Sequence, residues 1–262
     1  MGLGIITLFI CCGLLSGFFA GLLGIGGGMI TVPALYYLFS YAGYPSDEIM
    51  QVAIGTSLAA TFITASGSAW AHHLKKGIAF PPLLHLIPGL ILGSLAGVLL
   101  ADLLPGLFLR MLFGCMAILF GLYYFFPRLP HFNFGPLNYT LSLFALIIGS
   151  LSSLLGIGGG IFTLPVLLGY QLPMKNAIAT AAVSTCITAL VGSFFYLFIG
   201  HHPHPLPYSL GYIHLPSFFS IGLASICTVF IGVHLSQTLD THIIKRILAG
   251  IFMAAGLLML FR

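Results

Sequence analysis

Two glycine-rich passages carry the strongest chemical signal in this sequence. Residues 22–33 read Leu-Leu-Gly-Ile-Gly-Gly-Gly-Met-Ile-Thr-Val-Pro, and residues 154–165 repeat nine of these twelve positions. Both passages interrupt a long apolar stretch with residues that do not favour a regular helix. In a membrane protein, matching glycine breaks in two halves of a chain indicate a substrate site. The predicted site glycines are Gly24, Gly26, Gly27, Gly28, Gly156, Gly158, Gly159 and Gly160.

Broken helices of this kind suit an anion. Where one helix ends and another begins, the new helix exposes unpaired N–H groups and a partial positive charge. Glycine lets the chain turn there and lets a solute approach the bare backbone. Two such helix starts, at Gly26–Gly28 and Gly158–Gly160, would aim their N-termini at one shared point. We therefore predict an anion site between them. The alternative is that the glycines only permit tight helix packing.

Hydroxyl side chains recur after both glycine passages. The segment Ala-Ile-Gly-Thr-Ser at residues 53–57 returns as Ala-Ile-Ala-Thr-Ala at residues 177–181. Because their positions recur, Thr56, Ser57 and Thr180 are predicted to line the polar site with the glycines. The alternative for each hydroxyl is an ordinary hydrogen bond to a helix carbonyl one turn earlier. Ser57 has only an alanine as its counterpart, so the two half-sites are not chemically equal.

The chain has ten histidines but only four acidic residues. His85 and His214 are each followed by leucine and then a nearby proline, and are predicted to begin corresponding spans; His234 lies within a span. We hypothesise that one of these three exchanges protons during transport. The alternative is an interfacial histidine bonded to the backbone. The histidine-rich segment 201–204 could capture a metal, but its prolines favour an exposed turn, so no metal site and no cofactor are expected.

The elements that position these residues must be membrane helices. Hydrophobic residues make up 59% of the chain and charged residues 5%, a composition that a soluble domain could not bury. Several apolar runs approach the ~20 residues that span a bilayer. The sequence predicts an all-α polytopic transmembrane bundle in the lipid bilayer, with eight to ten segments depending on whether the short ones are re-entrant. The segments are residues 3–23, 29–41, 50–74, 80–101, 106–126, 138–156, 161–170, 174–200, 212–235 and 242–261.

Charge divides the loops into two groups. By the positive-inside rule, the basic loops are predicted to be cytoplasmic and the loops with Asp47, Glu48 and Asp102 external. Loops at matching places in the two halves then fall on opposite sides, which indicates inverted repeats within a single membrane domain. Repeat 1 is predicted at residues 1–130 and repeat 2 at residues 131–262. The basic loops carry Lys75 with Lys76, Arg128, Lys175, and Lys245 with Arg246.

These motifs bear a resemblance to a known family. The duplicated Gly-x-Gly-Gly-Gly motif with its proline five residues on, the Ala-Ile-Gly-Thr-Ser segment and the chain length resemble the TauE/SafE family of sulfite and organosulfonate exporters. The resemblance implies a secondary transporter, not an enzyme, in the bacterial inner membrane. The implied partner is a small sulfur-containing anion such as sulfite, thiosulfate or an organosulfonate, and no nucleic acid is expected. Substrate, direction and coupling ion do not carry over, and a homo-oligomer is left open.

The expected mechanism is alternating access, in which the two repeats rock about an anion held at the opposed half-helix N-termini. The alternative is an intramembrane factor that uses its histidines to handle or mature a metal or haem. That function requires histidines converging at one depth, whereas the predicted topology scatters them over both faces.

Overall fold

The computed structural model describes residues 3–44, 48–126, 140–200, 207–236 and 241–261. In these residues the chain forms ten helices and one short antiparallel ribbon, which confirms the predicted all-α polytopic bundle. The helices are α1 (Leu3–Leu23), α2 (Gly28–Tyr41), α3 (Ile49–Leu74), α4 (Phe80–Leu103), α5 (Gly106–Phe125), α6 (Thr140–Leu155), α7 (Gly160–Gly169), α8 (Met174–Ile199), α9 (Leu215–Leu235) and α10 (Thr241–Phe261). The ribbon pairs β1 (Ser209–Leu210) with β2 (Ile213–His214).

Six helices are long and apolar enough to cross a membrane by length and composition, namely α1, α3, α4, α5, α8 and α9. Burial separates central from peripheral positions. In the apolar stretch of α3, 83% of the residues are buried, whereas in that of α5 only 28% are buried. Large apolar side chains such as Leu107, Leu143 and Leu223 remain exposed. A single exposed leucine is common in any protein. On helices as apolar as these, the exposed leucines form the surface that would face lipid.

The four helices around the glycine breaks form two hairpins. Phe9, early in α1, and Phe39, late in α2, lie with ring centroids 6.3 Å apart. Thr140, which begins α6, shares a hydrogen bond of 2.6 Å between its Oγ1 and the hydroxyl of Tyr170, which follows α7. The outer ends of each hairpin therefore lie together, and the glycine break forms its tip. The short helices α2 and α7 are the returning arms of these hairpins, and their re-entrant placement in the membrane stays a prediction.

The main contacts between helices are symmetric with respect to the two halves of the chain. When each of the first five helices is replaced by its counterpart among the last five, and the reverse, the same pairs of helices are obtained. Helix α1 packs on α9 just as α6 packs on α4, while α5 packs on α10 and α3 on α8. Glycine permits the close approaches: a Cβ added to Gly17 would lie 2.2 Å from the Ser225 carbonyl, and one on Gly93 would lie 2.1 Å from the Leu146 carbonyl. The division into repeats at residues 1–130 and 131–262 stays a prediction, and its boundary lies outside the described residues.

The two ends of the bundle carry opposite charge. Lys75 Nζ donates to the Val233 carbonyl at 3.2 Å, and Asn176 Nδ2 donates to the Gly77 carbonyl at 3.0 Å. These bonds bring the α3–α4 loop, the start of α8 and the end of α9 to one end, here called the basic end. It includes Lys75, Lys76 and Lys175.

The opposite end, here called the acidic end, holds Asp102 and Glu48. The Tyr212 hydroxyl donates to Asp102 Oδ1 at 2.8 Å, which ties the turn of the ribbon to the end of α4. Arg110, in the second turn of α5, is an exception in sign and bonds the Tyr36 hydroxyl. Of the loops that carried the predicted topology, Asp47 and Arg128 lie outside the described residues. The cytoplasmic placement of the basic loops stays a prediction.

Candidate functional site

The tips of the two hairpins pack directly against each other. We call Gly24–Gly28 the first tip and Gly156–Gly160 the second tip, and all of their residues are buried. A Cβ added to Gly28 would lie 2.3 Å from the Gly156 carbonyl oxygen, and one added to Gly160 would lie 2.2 Å from the Gly24 carbonyl oxygen. The start of each short helix thus touches the end of the other hairpin's long arm. Any side chain at Gly28 or Gly160 must push the tips apart.

Backbone conformation also demands glycine within the tips. A left-handed φ is strained for any residue with a Cβ. Gly27 differs from its counterpart Gly159, because its φ is −90° while that of Gly159 is +77°. The tips are therefore not equivalent at the position that caps each short helix. A left-handed φ is found at Gly24, Gly26, Gly156, Gly158 and Gly159.

Two threonines from the central helices flank the tips. The Cγ2 methyls of Thr61 in α3 and Thr185 in α8 lie 3.0 and 2.9 Å from where a Gly26 Cβ would be, and 2.6 and 3.0 Å from the corresponding point on Gly158. Both threonines are buried. They were not among the predicted site residues. The signal that could have found them is the recurrence of Thr-x-Ile-Thr, since Thr61-Phe-Ile-Thr matches Thr185-Cys-Ile-Thr.

Hydroxyls from the central helices α3 and α8 bond the carbonyl of the first glycine in each tip. Ser57 Oγ donates to the Gly156 carbonyl at 2.9 Å, and Thr185 Oγ1 shares its proton between the Gly24 carbonyl at 3.1 Å and the Ala181 carbonyl at 2.8 Å. Ser57 also shares a 2.6 Å hydrogen bond with Thr31 Oγ1. Thr61 is the counterpart of Thr185, yet its buried Oγ1 has no partner among the described residues. The structure therefore brings Ser57 to the second tip and leaves the Thr61 hydroxyl unpaired.

Thr56 and Thr180 each bond the start of a helix from the other half of the chain. Thr56 Oγ1 accepts from the N–H of His214 at 2.9 Å, and Thr180 Oγ1 accepts from the N–H of Ala79 at 3.0 Å. His214 and Ala79 are the N-cap residues of α9 and α4, so the two threonines make equivalent bonds. Neither bond is the one-turn helix bond that the sequence offered as the alternative.

The three predicted histidines occupy separate places. His214 is fully buried at the acidic end, where its Nδ1 lies 2.7 Å from Ser217 Oγ and its ring lies edge-on to Phe39 at 5.1 Å. Burial lowers the pKa of His214 from 6.5 to about 4, so the ring is neutral at physiological pH. Its Nε2 has no partner among the described residues. His234 is exposed in the last turn of α9, towards the basic end.

His85 corrects one expectation. It lies in the second turn of α4, with Nδ1 2.9 Å from the Pro81 carbonyl, whereas His214 precedes α9. The two histidines therefore lie near the starts of the corresponding helices α4 and α9 but at different positions, and His85 has the backbone bond that the sequence offered as its alternative. Residues 201–204 lie outside the described residues. Within the part that is described, no three His, Cys, Asp or Glu side chains come close enough to share a metal ion.

The basic end carries an open cavity of about 390 Å³. It lies around the loop between α3 and α4. Its lining combines two groups that can carry positive charge with an apolar wall. The lining residues are His73, Leu74, Lys76, Ile78 and Phe80.

Comparison with known proteins assigns the family. The sequence profile described as "Sulfite exporter TauE/SafE" matches residues 9–259. The chain belongs to the TauE/SafE family. Two relatives, both named "Probable membrane transporter protein", come from Haemophilus influenzae and Methanocaldococcus jannaschii. The first is 31% identical over 246 residues, which covers 92% of each chain. The second is 29% identical over 261 residues, which covers 98% of this chain and 96% of the relative.

A further relative extends the range of organisms. A Bacillus subtilis protein named "Probable membrane transporter protein YunE" is 28% identical over 220 residues, covering 74% of this chain and 79% of its own. No solved structure gives a significant match. Together with the long apolar helices, the family assignment makes this a multi-pass membrane protein of a transporter family.

Proposed function

We propose that this protein is a secondary transporter for small anions and that the substrate is held between the two hairpin tips. The observation that carries the proposal is the meeting of two buried helix starts, one from each half, at glycines whose positions leave no room for a side chain. Helix starts supply N–H donors and a partial positive charge. A solute between these tips would therefore meet donors from both halves of the chain.

The electrostatics around the tips favour a small anion over a cation. The buried side chains of the described residues include no Asp, Glu, Lys or Arg. A cation at the tips would meet no carboxylate, whereas an anion would be balanced by backbone dipoles and hydroxyl donors. The TauE/SafE family description points to sulfur oxyanions. We therefore propose sulfite, thiosulfate or a small organosulfonate as the substrate.

Alternating access follows from the direct contact between the tips. Because a Cβ at Gly28 or Gly160 would clash with the opposite tip, a solute can be admitted only if the hairpins move apart. The long arm of each hairpin packs mainly on a long helix from the other half of the chain, α1 on α9 and α6 on α4. Movement of one hairpin unit against the other would open the tips to one side at a time.

The basic end suits the role of a cytoplasmic mouth in a bacterial inner membrane. The positive-inside rule places Lys75 and Lys76 in the cytoplasm, and the same reasoning applies to the segment with Lys245 and Arg246. The cavity at this end is lined by His73 and Lys76. Positive side chains at a mouth raise the local concentration of anions.

Uptake by proteoliposomes that contain the purified protein tests the proposal. The panel is sulfite, thiosulfate, sulfoacetate, taurine, sulfate and chloride. The variants Gly28→Ala and Gly160→Ala insert a methyl between the tips, and Gly250→Ala in α10 is the control because a Cβ there meets no atom within 4 Å. We expect at least one sulfur anion to be carried, with transport lost in both tip variants and retained in the control.

Folding is checked by size-exclusion profile and melting temperature in detergent. The proposal is refuted if the unmodified protein carries no anion of the panel. It is also refuted if both tip variants fold and transport at the unmodified rate, since the tips would then not need to approach or part.

A further inference from the structure

Unpaired hydroxyls gather beside the second tip. Thr61 Oγ1 and Ser152 Oγ are both buried and have no hydrogen-bond partner among the described residues. Ser152 Oγ lies 3.4 Å from where a Cβ on Gly159 would be, and the Thr61 Cβ lies 3.8 Å from the corresponding point on Gly158. Native proteins pair most of their buried polar groups, so unpaired ones in one place call for an explanation.

The Thr61 hydroxyl can reach the second tip by a rotamer change. In the structure its Cγ2 methyl lies between the tips, 2.6 Å from the position of an added Cβ on Gly158 and 3.0 Å from that on Gly26. Methyl and hydroxyl share the same Cβ, and staggered χ1 rotamers exchange their places. A solute at the tip that accepts hydrogen bonds would favour the rotamer with the hydroxyl inward, because no competing partner holds Oγ1 in its present position.

The corresponding hydroxyls at the first tip are all occupied. Ser16 lies beside Gly27 much as Ser152 lies beside Gly159, with Oγ 2.9 Å from where a Gly27 Cβ would be. Ser16 Oγ donates to the Gly13 carbonyl at 3.1 Å. Thr31 Oγ1 lies 2.6 Å from Ser57 Oγ, and Thr185, the counterpart of Thr61, bonds the Gly24 and Ala181 carbonyls. The two tips share the glycine pattern, but among the described residues free side-chain donors lie nearest the second.

We propose that the second tip is the anion-coordinating half of the site, with Ser152 and Thr61 as hydroxyl donors to the anion's oxygens, while the first tip closes over the anion without a side-chain donor. This inference rests on the proposed transport function. The donors come from α6 and α3, and the N–H groups at the start of α7 add a third direction. Donors from three directions suit an oxyanion that presents three oxygens, such as sulfite or a sulfonate group.

Removing each hydroxyl tests the assignment in the full chain reconstituted in proteoliposomes. Ser152→Ala and Thr61→Val remove the proposed donors with little change of shape. Ser16→Ala is the matched control at the first tip, and Ser94→Ala is a control for a buried unpaired hydroxyl elsewhere, on α4 beside Gly149. The measured quantities are the KM for sulfite and for methanesulfonate, and the melting temperature in detergent.

We expect KM to rise about tenfold or more in Ser152→Ala and in Thr61→Val, because each loses a hydrogen bond to a charged ligand. Both controls should keep KM within about twofold. Melting temperatures of Ser152→Ala and Thr61→Val should be unchanged or raised, since the removed hydroxyls have no hydrogen-bond partner in the part of the chain that the structure describes. Thr61→Ser and Ser152→Thr keep a hydroxyl and should keep KM close to that of the unmodified protein.

The outcomes separate this inference from the proposed function. If the unmodified protein carries sulfite and both donor variants keep its KM, the assignment of Ser152 and Thr61 is overturned while the transporter stands. A loss of stability in both donor variants, or an equal rise of KM in Ser16→Ala, overturns the unequal roles of the tips. If the unmodified protein carries no anion at all, the transport function itself fails and this inference fails with it.

Discussion

Replacing Ser57 with alanine should cost less stability than its two hydrogen bonds suggest. Ser57 Oγ donates to the Gly156 carbonyl at 2.9 Å and shares a 2.6 Å bond with Thr31. A buried carbonyl left without a donor costs about 1–3 kcal/mol. In the other half, Thr185 supplies the equivalent bond to Gly24 at 3.1 Å. Thr61 is the counterpart of Thr185 and has a free hydroxyl, so it can take over the Gly156 carbonyl.

The structure therefore predicts coupling between Ser57 and Thr61. Ser57→Ala alone should lower the free energy of unfolding by less than about 1 kcal/mol, because Thr61 restores most of the lost bond. Thr61→Val alone should be neutral or slightly stabilising. The double variant should lose about 1–3 kcal/mol, because nothing then donates to Gly156. The expected departure from additivity is about 1–2 kcal/mol.

Unfolding in mixed detergent, followed by circular dichroism, measures the four members of this cycle. A second cycle of Ser57→Ala with Ser94→Ala is the control, since Ser94 also has an unpaired buried hydroxyl but lies on α4. The control cycle should be additive within about 0.5 kcal/mol. Additive losses in the Ser57–Thr61 cycle would refute the argument, because they would mean that Thr61 cannot replace Ser57 at the second tip.

Three further outcomes are expected. Stability should fall as the pH drops from 6.5 to about 4, because the unfolded His214 takes up a proton that the buried ring resists; thermal melts across this range should show a smaller fall in His214→Gln. Tyr212→Phe removes the 2.8 Å bond to Asp102 and should lower the free energy of unfolding by about 1 kcal/mol, whereas Tyr212→Phe added to Asp102→Ala, which has no acceptor left, should cause no similar loss. In a background without reactive cysteines, Lys76→Cys should react with an impermeant maleimide only in inside-out vesicles and Leu103→Cys only in intact cells; the reverse pattern would contradict the cytoplasmic assignment of the basic end.

The helices and their breaks could be predicted from local sequence. Long apolar runs with few charges require helices in a bilayer, and the observed bounds lie close to the predicted ones. The largest shift at a helix start is in α9, which begins at Leu215 instead of 212 because the ribbon that ends at His214 precedes it. The glycine passages marked both tips because a left-handed backbone is costly for other residues. Each of these features depends on residues that are neighbours along the chain.

Equivalence between the halves was predicted well where the repeat preserves sequence and poorly where it does not. Thr56 and Thr180 lie in recurring segments and make equivalent bonds to helix starts. His85 and His214 were matched only by a nearby Leu and Pro, and the structure puts one inside a helix and the other before one. A short shared pattern does not set the residue at which a helix begins, since that depends on which backbone N–H finds an acceptor.

The sequence by itself determined that the chain would form apolar helices broken by glycine at matching places, with basic and acidic residues assigned to different loops. Tertiary structure alone decided which hydroxyls near the tips have partners. Ser16 and Ser152 are both serines of the long helix that precedes a glycine passage, but one donates to a carbonyl on its own helix and the other has no partner among the described residues. The difference arises because a hydrogen bond needs two atoms within about 3 Å, and that distance depends on how helices from distant parts of the chain pack together.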